Sequence, residues 1–156
     1  MALRKIVTEG DPALSRVCRP IEIIDKKIKT LIGDMKDTLA KANGLGLAAP
    51  QVGINRRLCI VQDDDESIMT LINPEIIASS GEQEFTEGCL SLPKVWGKTK
   101  RPAEVTVKAL NENGEEITVT RTGTTAVCLC HEIDHLNGIL FRAHVTEYIE
   151  YEDDDD

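Results

Sequence analysis

Cys130-His131-Glu132-Ile133-Asp134-His135-Leu136-Asn137-Gly138 is the stretch that decides the reading of this chain. On a helix, His131 and His135 lie roughly 40° apart around the axis and one turn apart along it, so both imidazoles reach one metal ion. Glu132 falls roughly 60° from His135, close enough to touch a metal-bound water without ligating the metal. That is the spacing of metal-assisted hydrolysis. The helix itself is legible. Thr122, Thr124 and Thr125 offer N-cap hydroxyls, Ala126, Val127, Leu129, Ile133 and Leu136 recur at helical spacing, and Gly138 stands where a glycine ends a helix. These signals predict a helix over about 125–137, with Thr124, Val127, His131 and His135 on one stripe. Two histidines four apart also occur by chance. Here they sit with Glu132 and Asp134 in an apolar helix, where burying them is costly unless a cation satisfies them.

A catalytic metal site needs a third protein ligand and an open position for water. The pattern HExxHxxGxxH is matched as far as Gly138, but Phe141 stands where a third histidine would be, which excludes that ligand set. Glu147, Glu150 and His144 lie downstream as weaker candidates, and Cys130 points away from the His131 side of the helix. Cys89 remains, within Glu87-Gly88-Cys89-Leu90-Ser91-Leu92-Pro93, a bent segment able to approach from across the site. A Cys-His-His set with a water in the fourth position suits ferrous iron or zinc.

A second stretch, Gly44-Leu45-Gly46-Leu47-Ala48-Ala49-Pro50-Gln51, is small and apolar. Its glycines let another chain approach the backbone closely enough to pair as an added strand, although a tight helix-to-strand connection has the same composition. It is not a phosphate loop, since GxxxxGK[ST] is absent and the run leaves a helix instead of entering one. That helix is predicted from Asp25 to about Ala42, where Ile28, Leu31, Ile32, Met35, Leu39 and Ala42 recur at helical spacing before Asn43-Gly44. Strands are expected over Arg57–Gln62 and Ile68–Ile72, the second stopped by Asn73-Pro74, with a further short strand over Glu75–Ser79. Asp63–Glu66 reads as a solvated turn. A hairpin over 103–110 and 116–121 is expected around Asn111-Glu112-Asn113-Gly114. The fold class is therefore α+β, with largely antiparallel sheets packed around the central metal-binding helix and a covering N-terminal helix.

The 156 residues, 41% hydrophobic and 29% charged, suit one soluble domain. That domain is expected over 1–147, with 148–156 as an acidic, flexible tail. No apolar run approaches membrane length and no leader segment is visible, so a cytoplasmic protein is expected. Five cysteines without framework spacing suit a reducing compartment. The net charge of −9 argues against a nucleic-acid surface.

Taken together, the stretches at 44–51, 87–91 and 131–135 resemble the three motifs of the peptide deformylases, in the same order and at the same separations. The resemblance extends through Asn73-Pro74, Arg101-Pro102 and Gly138-Ile139-Leu140-Phe141 to about residue 145. It implies a monomeric hydrolase that removes the formyl group from the N-terminal formyl-methionine of nascent polypeptides. Cys89, His131 and His135 would hold Fe²⁺, with Zn²⁺, Ni²⁺ or Co²⁺ as substitutes, and Glu132 would act as general base and acid. It further implies that the Gln51 side chain and the Leu90 backbone N–H stabilise the oxyanion, while Gly44 and Gly46 pair with the peptide. Val127 and Phe85 would wall the methionine pocket. Relatives with a long basic C-terminal helix contact the ribosome; the acidic end of this chain opposes more than a transient contact. Another small HExxH peptidase and an inert peptide-binding relative are the competing readings, and intact Gln51, Glu132 and ligands argue against the second.

Overall fold

A computed structural model of the chain describes residues 2–149. The first regular element follows the apolar periodicity: α1, Lys26–Ala42, begins at Asp25, whose carboxylate accepts from the Ile28 N–H at 3.0 Å. It ends at Asn43 in the left-handed conformation, φ 56°, as its cap position favours. The small-residue stretch after it forms a short strand, β1, Gly46–Ala48, and then a 3-10 turn over Ala49–Val52.

Seven further strands follow: β2 (Leu58–Gln62), β3 (Ile68–Ser80), β4 (Gln83–Cys89), β5 (Leu92–Arg101), β6 (Glu104–Leu110), β7 (Glu116–Thr122) and β8 (Val145–Ile149). The second helix, α2, Gly123–Leu136, lies between β7 and β8. All strand pairs are antiparallel. They build a five-stranded sheet in the order β1-β2-β3-β6-β7 and a three-stranded sheet in the order β4-β5-β8. The chain is α+β, as its periodicities predict.

Alternation along β2 assigns the layers. Leu58 and Ile60 pack with Ile28, Leu31, Met35 and Leu39 of α1, while Cys59 and Val61 pack with Ala126, Leu129, Ile133 and Leu136 of α2. Successive strand residues face opposite sides, so α1 and α2 cover opposite faces of the large sheet. Burial on both faces explains why β2 reads as a continuous apolar run.

Three expectations are corrected. Asn73-Pro74 does not stop a strand: β3 runs on to Ser80 through a register irregularity between Ile72 and Glu75, with Asn73 at φ 52°. The Asn73 amide bonds both the N–H and the carbonyl of Ile21, each at 2.8 Å, and the bulge accommodates a proline that lacks a ladder donor. The turn at 63–66 is not merely solvated, since Asp63 takes a fork from Arg121 at 2.7 and 2.8 Å and Asp64 accepts from the Thr125 hydroxyl at 2.6 Å. That leaves Thr125 unavailable as a cap, and Thr122, at the N-cap of α2, makes no side-chain cap bond. Tyr148 and Ile149, expected to open a tail, belong instead to β8 and pair with Gly97 and Trp96; the rest of that expectation, 150–156, lies outside the described residues.

The predicted end of the metal helix is closed by paired bonds, Gly138 N–H to the His135 carbonyl at 3.1 Å and Ile139 N–H to the Asp134 carbonyl at 2.9 Å, the Schellman arrangement. Gly138 has φ 75°, and a Cβ there would lie 2.8 Å from the Ser15 carbonyl oxygen. Gly138→Ala should therefore lower stability by about 1–3 kcal/mol in urea unfolding; an unchanged midpoint would refute the requirement. The Arg121 hydrogen bonds, opposed by desolvation, hold Asp63 below its ordinary 3.8. A depressed folded value contributes stability above the unfolded value and loses it as pH falls through the folded one. Asp63→Asn should thus lower stability at neutral pH and flatten its decline below roughly pH 5, measured as unfolding midpoints across a pH series.

Candidate metal centre and peptide cleft

Because α2 runs through the core, the polar residues of its centre are nearly sealed: His131 is 8% exposed, Glu132 5% and His135 0%. The two rings lie with centroids 5.0 Å apart. From the other sheet comes Cys89, the last residue of β4, where a register irregularity between Glu87 and Cys89 bends the strand. Its Sγ stands 3.4 Å from His135 Nε2, and the ligand atoms of Cys89, His131 and His135 all lie within 4.8 Å of one another. A Cβ at Gly88 would meet the Trp96 ring at 2.5 Å, so only glycine lets Trp96 lie over the segment beside Cys89.

Behind this trio sits a side chain whose role is not visible in the sequence. Glu87, 3% exposed, lies with Oε1 2.8 Å from His131 Nδ1. Arg101 grips the same carboxylate through Nε at 2.7 Å and Nη2 at 3.0 Å, and the Thr99 hydroxyl donates to it. Burial alone would raise the Glu87 pKa; the bonds from His131, Arg101 and Thr99 outweigh it and hold the group at about 2. An ionised carboxylate only accepts, so His131 donates from Nδ1 and its Nε2 is left to face the trio. Arg101 reaches Asp134 with Nη1 at 2.8 Å, and Asp134 lies 3.1 Å from His144 Nε2. His144, a weaker ligand candidate by sequence, is therefore spent on Asp134.

The donor set fits a metal ion. Thiolate and imidazole suit iron or zinc, and the deep burial of His135 pushes its pKa down to about 3, keeping it neutral as a ligand must be. Desolvation opposes a charge on His131, yet Cys89, Glu132 and Glu87 raise it to about 10, so the cluster attracts positive charge at its centre. On α2, the buried atoms Glu132 Oε1 and His135 Nδ1 lack a hydrogen-bond partner. Burial first, then Glu87 and Asp134, push Glu132 up to about 7 against the pull of His131 and Arg101.

The trio opens on a cleft of about 510 Å³ whose walls include Gly44, Gly46, Phe85, Leu90 and Val127. One wall carries β1, an edge strand whose ladder partner among the described residues is β2, so an extended chain can add along its outer side, where the Ala48 N–H is already bound to Gln51. A Cβ at Gly46 would lie 2.7 Å from Glu132 Oε2, and one at Gly44 would lie 3.0 Å from Leu90 Cδ1. Gln51 is locked: Oε1 accepts the Ala48 N–H at 3.0 Å, which turns Nε2 toward Ser91 Oγ at 3.1 Å and Cys89 Sγ at 3.6 Å. All ten residues singled out by sequence meet in this cleft or directly beneath it. Those missed are Glu87, Arg101 and Ser91, together with Trp96 and Cys128 on the lining.

A family profile described as polypeptide deformylase matches residues 3–149. The chain belongs to the polypeptide deformylase family. It is 55% identical over 150 residues to peptide deformylase 2 of Clostridium acetobutylicum, covering 96% of this chain and 99% of that protein. It is 52% identical to the peptide deformylase of Acetivibrio thermocellus, covering 96% and 88%. Among solved structures, the peptide deformylase from Thermotoga maritima superposes with a TM-score of 0.90 at 34% identity, covering 94% of this chain and 99% of that one. The enzyme from Ehrlichia chaffeensis, solved in complex with actinonin, superposes with a TM-score of 0.90 at 35% identity over 94% of this chain and 90% of that one.

Glu87→Ala should cost about 3–5 kcal/mol in chemical unfolding, because it leaves the buried Arg101 charge half-paired and the His131 Nδ1 donor unmet. A loss below about 1 kcal/mol would show the network to be dispensable.

Proposed function

We propose that this deformylase-family chain removes the N-formyl group from the N-terminal formyl-methionine of nascent polypeptides, releasing formate. The observation that carries the reading is the meeting of Cys89, His131, His135 and the buried Glu132 on the floor of a cleft edged by β1. The ion we assign to Cys89, His131 and His135 is Fe²⁺, with Zn²⁺, Ni²⁺ and Co²⁺ as substitutes; when bound, it lowers the pKa of water and polarises the formyl oxygen. Glu132 accepts the proton of the attacking water and returns it to the leaving amine, and its raised proton affinity suits both steps. The Gln51 Nε2–H and the Leu90 backbone N–H donate to the oxyanion as it develops. Gln51 is prepared for this, since its Oε1 is occupied by Ala48 and only its donor end faces the site.

Gly44 and Gly46 pair with the substrate backbone as an added strand, and Val127 with Phe85 lines the pocket for the methionine side chain. The substrate is presented as the chain leaves the ribosome, which places the enzyme in the cytoplasm, acting as a monomer with at most a transient ribosome contact. Among the described residues no helix is long and apolar enough to cross a membrane. The residues through Ile149 work as one catalytic domain.

The test compares formyl-Met-Ala-Ser with acetyl-Met-Ala-Ser, using protein purified without oxygen and assayed for metal. Formate from the first peptide only, with about one equivalent of iron and loss of turnover on chelation, is the expected outcome. Glu132→Gln should keep the metal and lower kcat by about 10²–10⁴. No formate from a fully metallated sample would overturn the reading, and cleavage of an unblocked peptide would favour a peptidase.

A further inference from the structure

The two oxyanion donors come from different sheets. Gln51 sits on the turn that follows β1, at the edge of the five-stranded sheet, while Leu90 sits on the turn between β4 and β5 of the three-stranded sheet. Their separation is therefore not set by any strand ladder. The Gln51–Ser91 side-chain bond at 3.1 Å is one tie between them.

A second tie comes from residues 2–9, a segment without helix or sheet pairing up to its turn at Glu9-Gly10. Val7 N–H donates to the Gln51 carbonyl at 2.8 Å and Glu9 N–H donates to the Ser91 carbonyl at 2.8 Å. Alternate amides of an extended chain point the same way, so two donors spaced i and i+2 hold both turns from one side. The segment is itself pinned at both ends. Ala2 N–H and the Arg4 guanidinium reach the Asp34 carboxylate at 3.1 and 2.9 Å, and Arg4 N–H donates to Thr38 Oγ at 2.9 Å, both acceptors on the buried face of α1. At the other end Glu9 pairs with Arg142, one residue beyond Phe141, which stacks on the His131 ring at 5.8 Å.

We propose that residues 2–9 form a positioning strap that holds the Gln51 and Leu90–Ser91 turns at the spacing the oxyanion requires. The strap touches neither substrate nor metal; it acts through the two carbonyls it binds. This rests on the oxyanion roles given to Gln51 and Leu90 above. A donor matters to the transition state only if its placement is held, and a displacement of about 1 Å at such a site costs up to 10²-fold in rate.

The experiment measures kcat and KM for formyl-Met-Ala-Ser, metal content and the unfolding midpoint for a set of variants. Val7→Pro removes the donor to Gln51 and should lower kcat roughly tenfold, with KM and metal content nearly unchanged. Arg4→Ala should lower kcat several-fold, and Arg4→Lys, whose ammonium still reaches Asp34, should recover it. Asp63→Asn, which loosens the fold away from the strap, should keep kcat and so separates positioning from general stability. If Val7→Pro does not fold, the Arg4 pair decides. Unchanged kcat in Arg4→Ala, or no recovery in Arg4→Lys, would overturn the strap. Gln51→Ala separates the two ideas: if it keeps kcat, the oxyanion reading fails; if it alone loses kcat, only the strap fails.

Discussion

Glu87 carries the charge balance on which the centre depends. A carboxylate taken out of water costs several kcal/mol unless its lone pairs are filled and a cation stands beside it. Here Arg101 supplies a two-pronged contact and the cation, Thr99 a hydroxyl and His131 a ring N–H. Each partner in turn needs the carboxylate, because Arg101 is itself only 4% exposed. Arg101 also binds Asp134, so one guanidinium joins β4, β5 and α2. The clamp begins two residues before Cys89 and ends one residue before His135. The spacing between Cys89 on one sheet and two imidazoles on a helix is thus held by a buried charge network, not by backbone pairing.

That network is needed because the fold divides the site. The strict in-out alternation of β2 puts α1 and α2 on opposite faces of the large sheet, which buries α2 and shields its histidines from bulk water. Cys89 and the turn at Leu90 arrive on the smaller sheet. Where the two sheets meet there is no shared ladder, so side chains and the N-terminal segment make the joint. The cleft at this seam has the edge strand β1 on one wall and the bent end of β4 on the other.

The helix bearing His131 and His135, the helix over Lys26–Ala42 and the hairpin of β6 and β7 were legible because each has a long periodic pattern and a turn signal. The strand β5 was not. Leu-Pro-Lys-Val-Trp-Gly-Lys-Thr-Lys-Arg carries a proline, a glycine and four cations, and its strand character comes from pairing with both β4 and β8. Asn73-Pro74 misled for a related reason: the local signal is a stop, but the Asn73 amide bound to Ile21 turns it into a bulge within β3. The candidates Cys89, His131 and His135 were readable from residue type and spacing, and the fold gathers them. Glu87 and Arg101 were not, because a buried acid and base look like any solvated pair until the fold brings them under His131.

The glycines of the cleft show how tightly the chemistry is packed. At Gly46 a methyl group would stand 2.7 Å from Glu132 Oε2, and at Gly88 it would strike the Trp96 ring at 2.5 Å. Neither residue has a positive φ, so backbone freedom is not the reason for glycine at either place. The reason is contact. Gly46 lets the β1 backbone lie directly against Glu132, and Gly88 lets Trp96 cover the segment leading to Cys89. A Glu132 carboxyl held in that space, 5% exposed and against the Gly46 backbone, has few positions open to it.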